Sequence, residues 1–145
     1  MNKLLLFVMV TVCSIAAAQN ADSILGKQFY RADKKAIVTF YRQTDSTYCA
    51  RTTWLKEPND KNGKPRTDKY NPSQQLRQRP LIGMNVMYDL TYHQGIYSGI
   101  AYHPAHGLTC KVDLQLTREG NLKIVGYKWG LRKSEIWQNA LNKIE

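Results

Sequence analysis

Leu108, Cys110, Val112, Leu114 and Leu116 alternate with Thr109, Lys111, Asp113, Gln115 and Thr117. A period of two puts the first set on a buried face and the second in water, which is the pattern of a half-buried β-strand. Shorter runs of the same character recur along the chain, each bounded by turn residues. Ala36 to Tyr41 is β-branched and aromatic and is followed by a Gln-Thr-Asp-Ser turn. Tyr48 to Leu55, Leu81 to Tyr92, Ile96 to Tyr102, Leu122 to Tyr127 and Leu131 to Trp137 follow, and Gly26 to Arg31 supplies a first strand. Helical periodicity is nearly absent. About eight antiparallel strands joined by short turns in one small domain imply a closed barrel or a sandwich. Gly83, Gly99 and Gly126 fall inside the strand runs, where glycine marks the bends and close approaches that a small barrel needs.

One connection breaks the pattern. Trp54 to Gly83, WLKEPNDKNGKPRTDKYNPSQQLRQRPLIG, is far longer than the two to five residues of an ordinary hairpin loop. Tyr70, Leu76 and Leu81 give it apolar anchors. Asn71 is a good helix N-cap and Pro72 a good first helical residue, so a short helical turn is expected to start there. The segment reads as a flap over one end of the barrel. Lys64, Asp68, Arg77 and Arg79 lie close together in it. They admit two readings: guanidinium groups that grip a carboxylate or phosphate, or Arg–Asp pairs that fasten the flap to itself.

The first residues have another role. Lys3 precedes an apolar run from Leu4 to Val12, and Ala16-Ala17-Ala18 offers a small-residue cleavage site. This is the form of a secretory signal peptide over 1–18, leaving one domain over 19–145, exported to the periplasm or beyond. The run is too short for a transmembrane helix, and no later stretch is long enough. Cys13 raises lipid anchoring, but the bulky Val12 before it argues against that. An oxidising compartment would allow Cys49 and Cys110 to pair. Side-chain parity opposes it: if Trp54 points inward, Cys49 points outward, whereas Cys110 shares the buried face of its strand.

The flap motif resembles that of a bacterial family of exported proteins classed as a domain of unknown function, whose members look like lipocalin-type (calycin-type) small barrels. The matching residues are Trp54-Leu55-Lys56-Glu57-Pro58, Asp60, Gly63-Lys64-Pro65, Thr67-Asp68, Asn71-Pro72, Leu76-Arg77, Arg79-Pro80-Leu81 and Gly83. The match continues more weakly through Gly99, Tyr102, Pro104, Gly107, Gly126-Tyr127 and Trp137. Two places depart from the family pattern: Tyr102-His103-Pro104, where the family usually has Tyr-Asp-Pro, and the shortened stretch Lys128-Trp129-Gly130-Leu131-Arg132-Lys133. The resemblance implies an all-β, antiparallel, lipocalin-like barrel and an exported location, and carries no activity with it.

The functional expectation is a binding module for a small, partly apolar or amphipathic ligand at the barrel mouth, with Trp54, Lys64, Asp68, Arg77, Arg79 and Tyr127 as candidate contacts. The alternative is a structural or interaction protein of the envelope with a filled barrel. The chain holds 21 Lys and Arg against 11 Asp and Glu, a net charge of +10, and only Lys3 of these lies in the leader. Such a surface could meet an anionic envelope polymer. Nine Tyr, three Trp and three Phe among basic residues could also stack on single-stranded nucleic acid, but export and an apolar strand face weigh against that partner. His103 and His106 form a His-x-x-His pair without a third ligand nearby in sequence, so no metal is expected. No cofactor motif appears, and no histidine, cysteine or carboxylate pairs with a nucleophile in a recognisable catalytic set, so a hydrolase has no residue set behind it.

Overall fold

The computed structural model describes residues 20–141; the predicted leader and Cys13 lie outside them. Among the described residues, eight antiparallel strands close into a barrel in simple sequential order. They are β1 (Gln28–Tyr30), β2 (Ala36–Arg42), β3 (Tyr48–Leu55), β4 (Asn85–His93), β5 (Ile96–His103), β6 (Leu108–Leu116), β7 (Leu122–Lys128) and β8 (Leu131–Asn139). The all-β barrel and its long capping loop are as expected from the alternation and the turns. The ring closes where β1 meets β8, through Phe29 with Asn139 and Tyr30 with Gln138.

Cross-strand partners share a face, so the register sorts the inside from the outside. Phe29, Val38, Phe40, Ala50, Tyr97, Val112, Leu114, Leu122, Ile124 and Trp137 form one buried cluster. The lower end, where β2–β3, β4–β5 and β6–β7 turn, is the dry half. Edge-to-face pairs of Phe29 with Phe40 and of Tyr48 with Tyr97 fill it. A 3₁₀ turn, Ala21–Ile24, plugs this end. Ile24 is buried, the Tyr97 hydroxyl donates to the Ala21 carbonyl at 2.6 Å, and the Tyr48 hydroxyl donates to Asp22 Oδ1 at 2.6 Å.

Two irregularities shape the wall. Asp89, with φ 54°, lies in a break of register between Tyr88 and Thr91. A Cβ on Gly99 would stand 2.7 Å from the Tyr88 carbonyl oxygen, so the bulge and the glycine require each other. A second bulge, between Ile37 and Val38, pairs Thr52 with Val38 but Trp54 with Ile37. That shift corrects one expectation. Thr52 stays buried while Trp54 is carried to the outer surface, where it packs edge-on against Tyr30. Cys49 pairs with the outward Tyr41, and Arg51 stacks over the Tyr41 ring beside it. Cys110 faces the interior, with its Sγ 3.7 Å from where a Cβ on Gly126 would lie. The two thiols are free and sit on opposite faces of the sheet. Burial pushes the Cys49 thiol pKa up, which keeps it protonated.

Candidate functional site

The upper end carries the β1–β2, β3–β4, β5–β6 and β7–β8 connections. The flap between β3 and β4 is ordered by one carboxylate. Asp68 is fully buried. It accepts from the Tyr102 hydroxyl at 2.7 Å, from the Asn71 side-chain amide at 2.7 Å and from an Arg79 terminal nitrogen at 2.9 Å. The backbone repeats the tie: the Asp68 amide donates to the Arg79 carbonyl, and the Asn71 amide to the Asp68 carbonyl, both at 2.9 Å. A buried carboxylate survives without water when its lone pairs are filled in this way. Arg77 adds a further brace, its Nε donating to the Asn71 carbonyl at 2.8 Å. Burial, followed by the hydrogen bond to Asp68, pushes the Tyr102 phenol up to about 12.

The flap also rests on the β5–β6 turn. A Cβ on Gly107, whose φ is 62°, would lie 2.0 Å from the Tyr70 carbonyl oxygen, so only glycine fits there. The helical turn is shorter than expected. It covers Gln74–Leu76, with Ser73 at its N-cap position, and the Asn71 side chain accepts from the Ser73 amide through Oδ1 while its NH₂ donates to Asp68.

The six residues named from sequence therefore separate. Asp68 and Arg79 pair with each other, and Arg77 braces the same loop through the Asn71 backbone carbonyl. Lys64 is exposed at the base of the Asp60–Lys64 turn, where its amide donates to Asp60 Oδ1 at 3.0 Å. Trp54 and Tyr127 lie on the outer wall. Tyr127 borders a shallow depression of about 380 Å³ over Gly99, lined also by Ser98, Ile100, Lys111 and Asp113. Sequence reasoning missed Tyr102, which lies far along the chain from Asp68, and the polar groups of the inner rim. The family-like Tyr102 to Gly107 stretch was the one signal that could have flagged the first.

The inner face changes character toward the flap. In the lower rows Tyr97 pairs with Leu114, Leu114 with Ile124, and Leu122 with Trp137. Above them Gly99 and Gly126 flank Val112, and Ala101 pairs with Cys110. Ala101, Cys110 and Gly126 are smaller than the rings and branched chains of the lower rows, whereas the place of a Gly99 side chain is taken by the Tyr88 and Asp89 carbonyls of the β4 bulge. On the same face β8 contributes Lys133, the partner of Gly126, and Glu135, the partner of Ile124. Lys133 Nζ lies 2.9 Å from Glu135, and the Trp137 indole N–H donates to the Glu135 carboxylate at 3.1 Å. The indole bond, then Lys133, holds the Glu135 carboxyl below its usual range. At the rim His103 and His106 stack with ring centroids 4.9 Å apart. Burial, then His106 and Arg31, lowers the His103 imidazole pKa, so His103 is neutral at pH 7. Among the described residues, no group of three His, Cys, Asp or Glu side chains is placed to hold a metal ion.

The comparisons with known proteins fit this arrangement. Residues 26–139 match the model of a family described as "Uncharacterized protein conserved in bacteria (DUF2147)". The chain belongs to this family. A solved structure of Helicobacter pylori protein HP1028, described as belonging to the lipocalin family, matches with a TM-score of 0.66 at 23% identity, over 80% of this chain and 82% of that one. At that identity the likeness establishes a lipocalin-like fold. No curated protein matches the chain.

Proposed function

We propose that this family member is an exported, non-catalytic binding module that takes a small amphipathic molecule at the upper mouth of its barrel. The observation that carries the reading is the change along the inner face, from packed rings below to Ala101, Cys110 and Gly126 above. Ligand sites of this kind have apolar walls and a few placed polar groups. The small residues form the floor, and Lys133 at the rim receives an acidic end in exchange for Glu135. Asp68, Arg77 and Arg79 contribute as the clamp that holds the flap beside the mouth. The filled lower half limits the ligand to a shallow seat, in contrast to the deep cup of a barrel that encloses its cargo.

Native mass spectrometry of protein purified from its own cells tests the reading, together with thermal shifts across a panel of fatty acids and other amphipathic carboxylates. Bound mass and stabilisation are expected in the natural protein and absent in Gly126→Val, which fills the floor. A ligand-free spectrum with no shift across the panel would overturn it.

A further inference from the structure

The β7–β8 hairpin ends in a turn that folding alone does not explain. Lys128 pairs with Leu131, and the two residues between them, Trp129 and Gly130, have φ of 50° and 74°. Positive φ at both central positions is the type I′ hairpin turn, whose first position favours asparagine, aspartate or glycine. A bulky aromatic residue is unfavourable in that conformation. Trp129 is also 80% exposed and Leu131 73% exposed, so neither repays the strain by burial in the barrel. A strained residue kept at an exposed tip points to function.

The surroundings of the tip are basic. Lys128 Nζ lies 4.9 Å from the Trp129 ring centroid. Lys133 is 81% exposed, and Arg132 is exposed beside Tyr127, which pairs in turn with Lys111. Glu135, held by Lys133 and the Trp137 indole, is the acid within reach on the same strand. An exposed Trp and Leu ringed by Lys and Arg match the two layers of a bilayer surface: aromatic and aliphatic groups enter the headgroup and upper acyl region, and cations meet the anionic headgroups.

We propose that this hairpin tip docks the barrel on an anionic phospholipid bilayer, with Trp129 and Leu131 inserted and Lys128, Arg132 and Lys133 against the headgroups. Among the described residues no helix is long and apolar enough to cross a membrane, and peripheral docking through a hairpin needs none. The proposal stands on the tip alone and does not depend on a ligand in the mouth.

The test is co-sedimentation of the chain from Gln19 to Glu145 with vesicles. This chain carries the whole closed sheet without the apolar leader. Vesicles of phosphatidylglycerol and phosphatidylcholine, of phosphatidylcholine alone, and a soluble anionic polysaccharide as competitor make up the arms. The expected result is binding to the anionic vesicles only, with tryptophan quenching by brominated acyl chains that disappears in Trp129→Asn. Trp129→Asn with Leu131→Ser should lower the bound fraction at least tenfold while melting no lower than the parent, because asparagine suits the positive φ. Lys128→Gln and Arg132→Gln together, which leave the mouth residue Lys133 in place, should do the same by a separate route. Equal binding to neutral vesicles, full displacement by the polysaccharide, or unchanged binding in the Trp129→Asn, Leu131→Ser variant would overturn the proposal.

Discussion

The two ends of this barrel are shut by the same bond in two environments. Below, the Tyr48 hydroxyl donates to Asp22 at 2.6 Å, and Arg42 lies 2.6 Å from the same carboxylate. Above, the Tyr102 hydroxyl donates to Asp68 at 2.7 Å, and Arg79 lies 2.9 Å from it. Each is a tyrosine, an aspartate and an arginine. Asp22 is 47% exposed, whereas Asp68 is wholly buried. The lower latch can trade its partners for water, and the 3₁₀ plug is held chiefly by Ile24 and by Tyr97. The upper latch cannot, so the flap's fold depends on one carboxylate. Burial, more than bonding pattern, decides what each latch is worth.

The sharpest way to break that contrast is Asp68→Ala. It strands Tyr102, Asn71 and Arg79 without an acceptor and should cost about 3–5 kcal/mol in urea unfolding, whereas Asp22→Ala, at an exposed carboxylate, should cost far less. Similar losses for both would mean that the flap latch is not what orders the upper end. Gly107→Ala comes next, at about 1–3 kcal/mol, because the new methyl meets the Tyr70 carbonyl; early proteolysis within the flap is the readout. Tyr102→Phe should cost about 1.5–3 kcal/mol, since its bond goes to a charged group, and Tyr97→Phe about 1 kcal/mol, since its bond goes to a carbonyl. Matching values would erase the distinction between the ends.

The pH profile separates them again. Hydrogen bonding from Tyr48, then Arg42, lowers the Asp22 pKa from 3.8, so its contribution is present above that value and is lost as pH falls through the folded pKa. The Tyr102 phenol is raised from 10 to about 12, so its contribution is present below pH 10 and is lost as pH rises from 10 toward 12. Asp22→Asn should therefore flatten the acid limb of stability and Tyr102→Phe the alkaline limb, with Tyr48 and Tyr97, also raised by burial, supplying the rest of the latter. The smallest effect is expected at Lys64→Ala, within about 0.5 kcal/mol, because its exposed side chain lies away from the latch.

The barrel was legible because alternation, turn spacing and strand length all agree from Ala36 to Trp137. Trp54 went astray because one bulged residue flips every side chain beyond it, and a bulge between Ile37 and Val38 leaves no mark in the run Ala36 to Tyr41. Asp68, Arg77 and Arg79 were recognisable as a cluster, and the Arg–Asp pairing that Arg79 makes was one of the two readings. The tyrosine that completes the Asp68 site was not, since Tyr102 reaches Asp68 only after β4 and β5 have been laid side by side. The small residues Ala101, Cys110 and Gly126 were equally hidden as a group, because they meet only across strands.

The narrow closure between β1 and β8 has a consequence for how the protein is made. Of the eight strands, the one that seals the ring is made first and the one it must meet is made last. Until Asn139 arrives, β2 to β7 can zip in order, but the sheet keeps two raw margins able to recruit neighbouring chains. Any truncation before Gln138 would leave those margins open for good, turning a self-limiting ring into a seed for polymerisation.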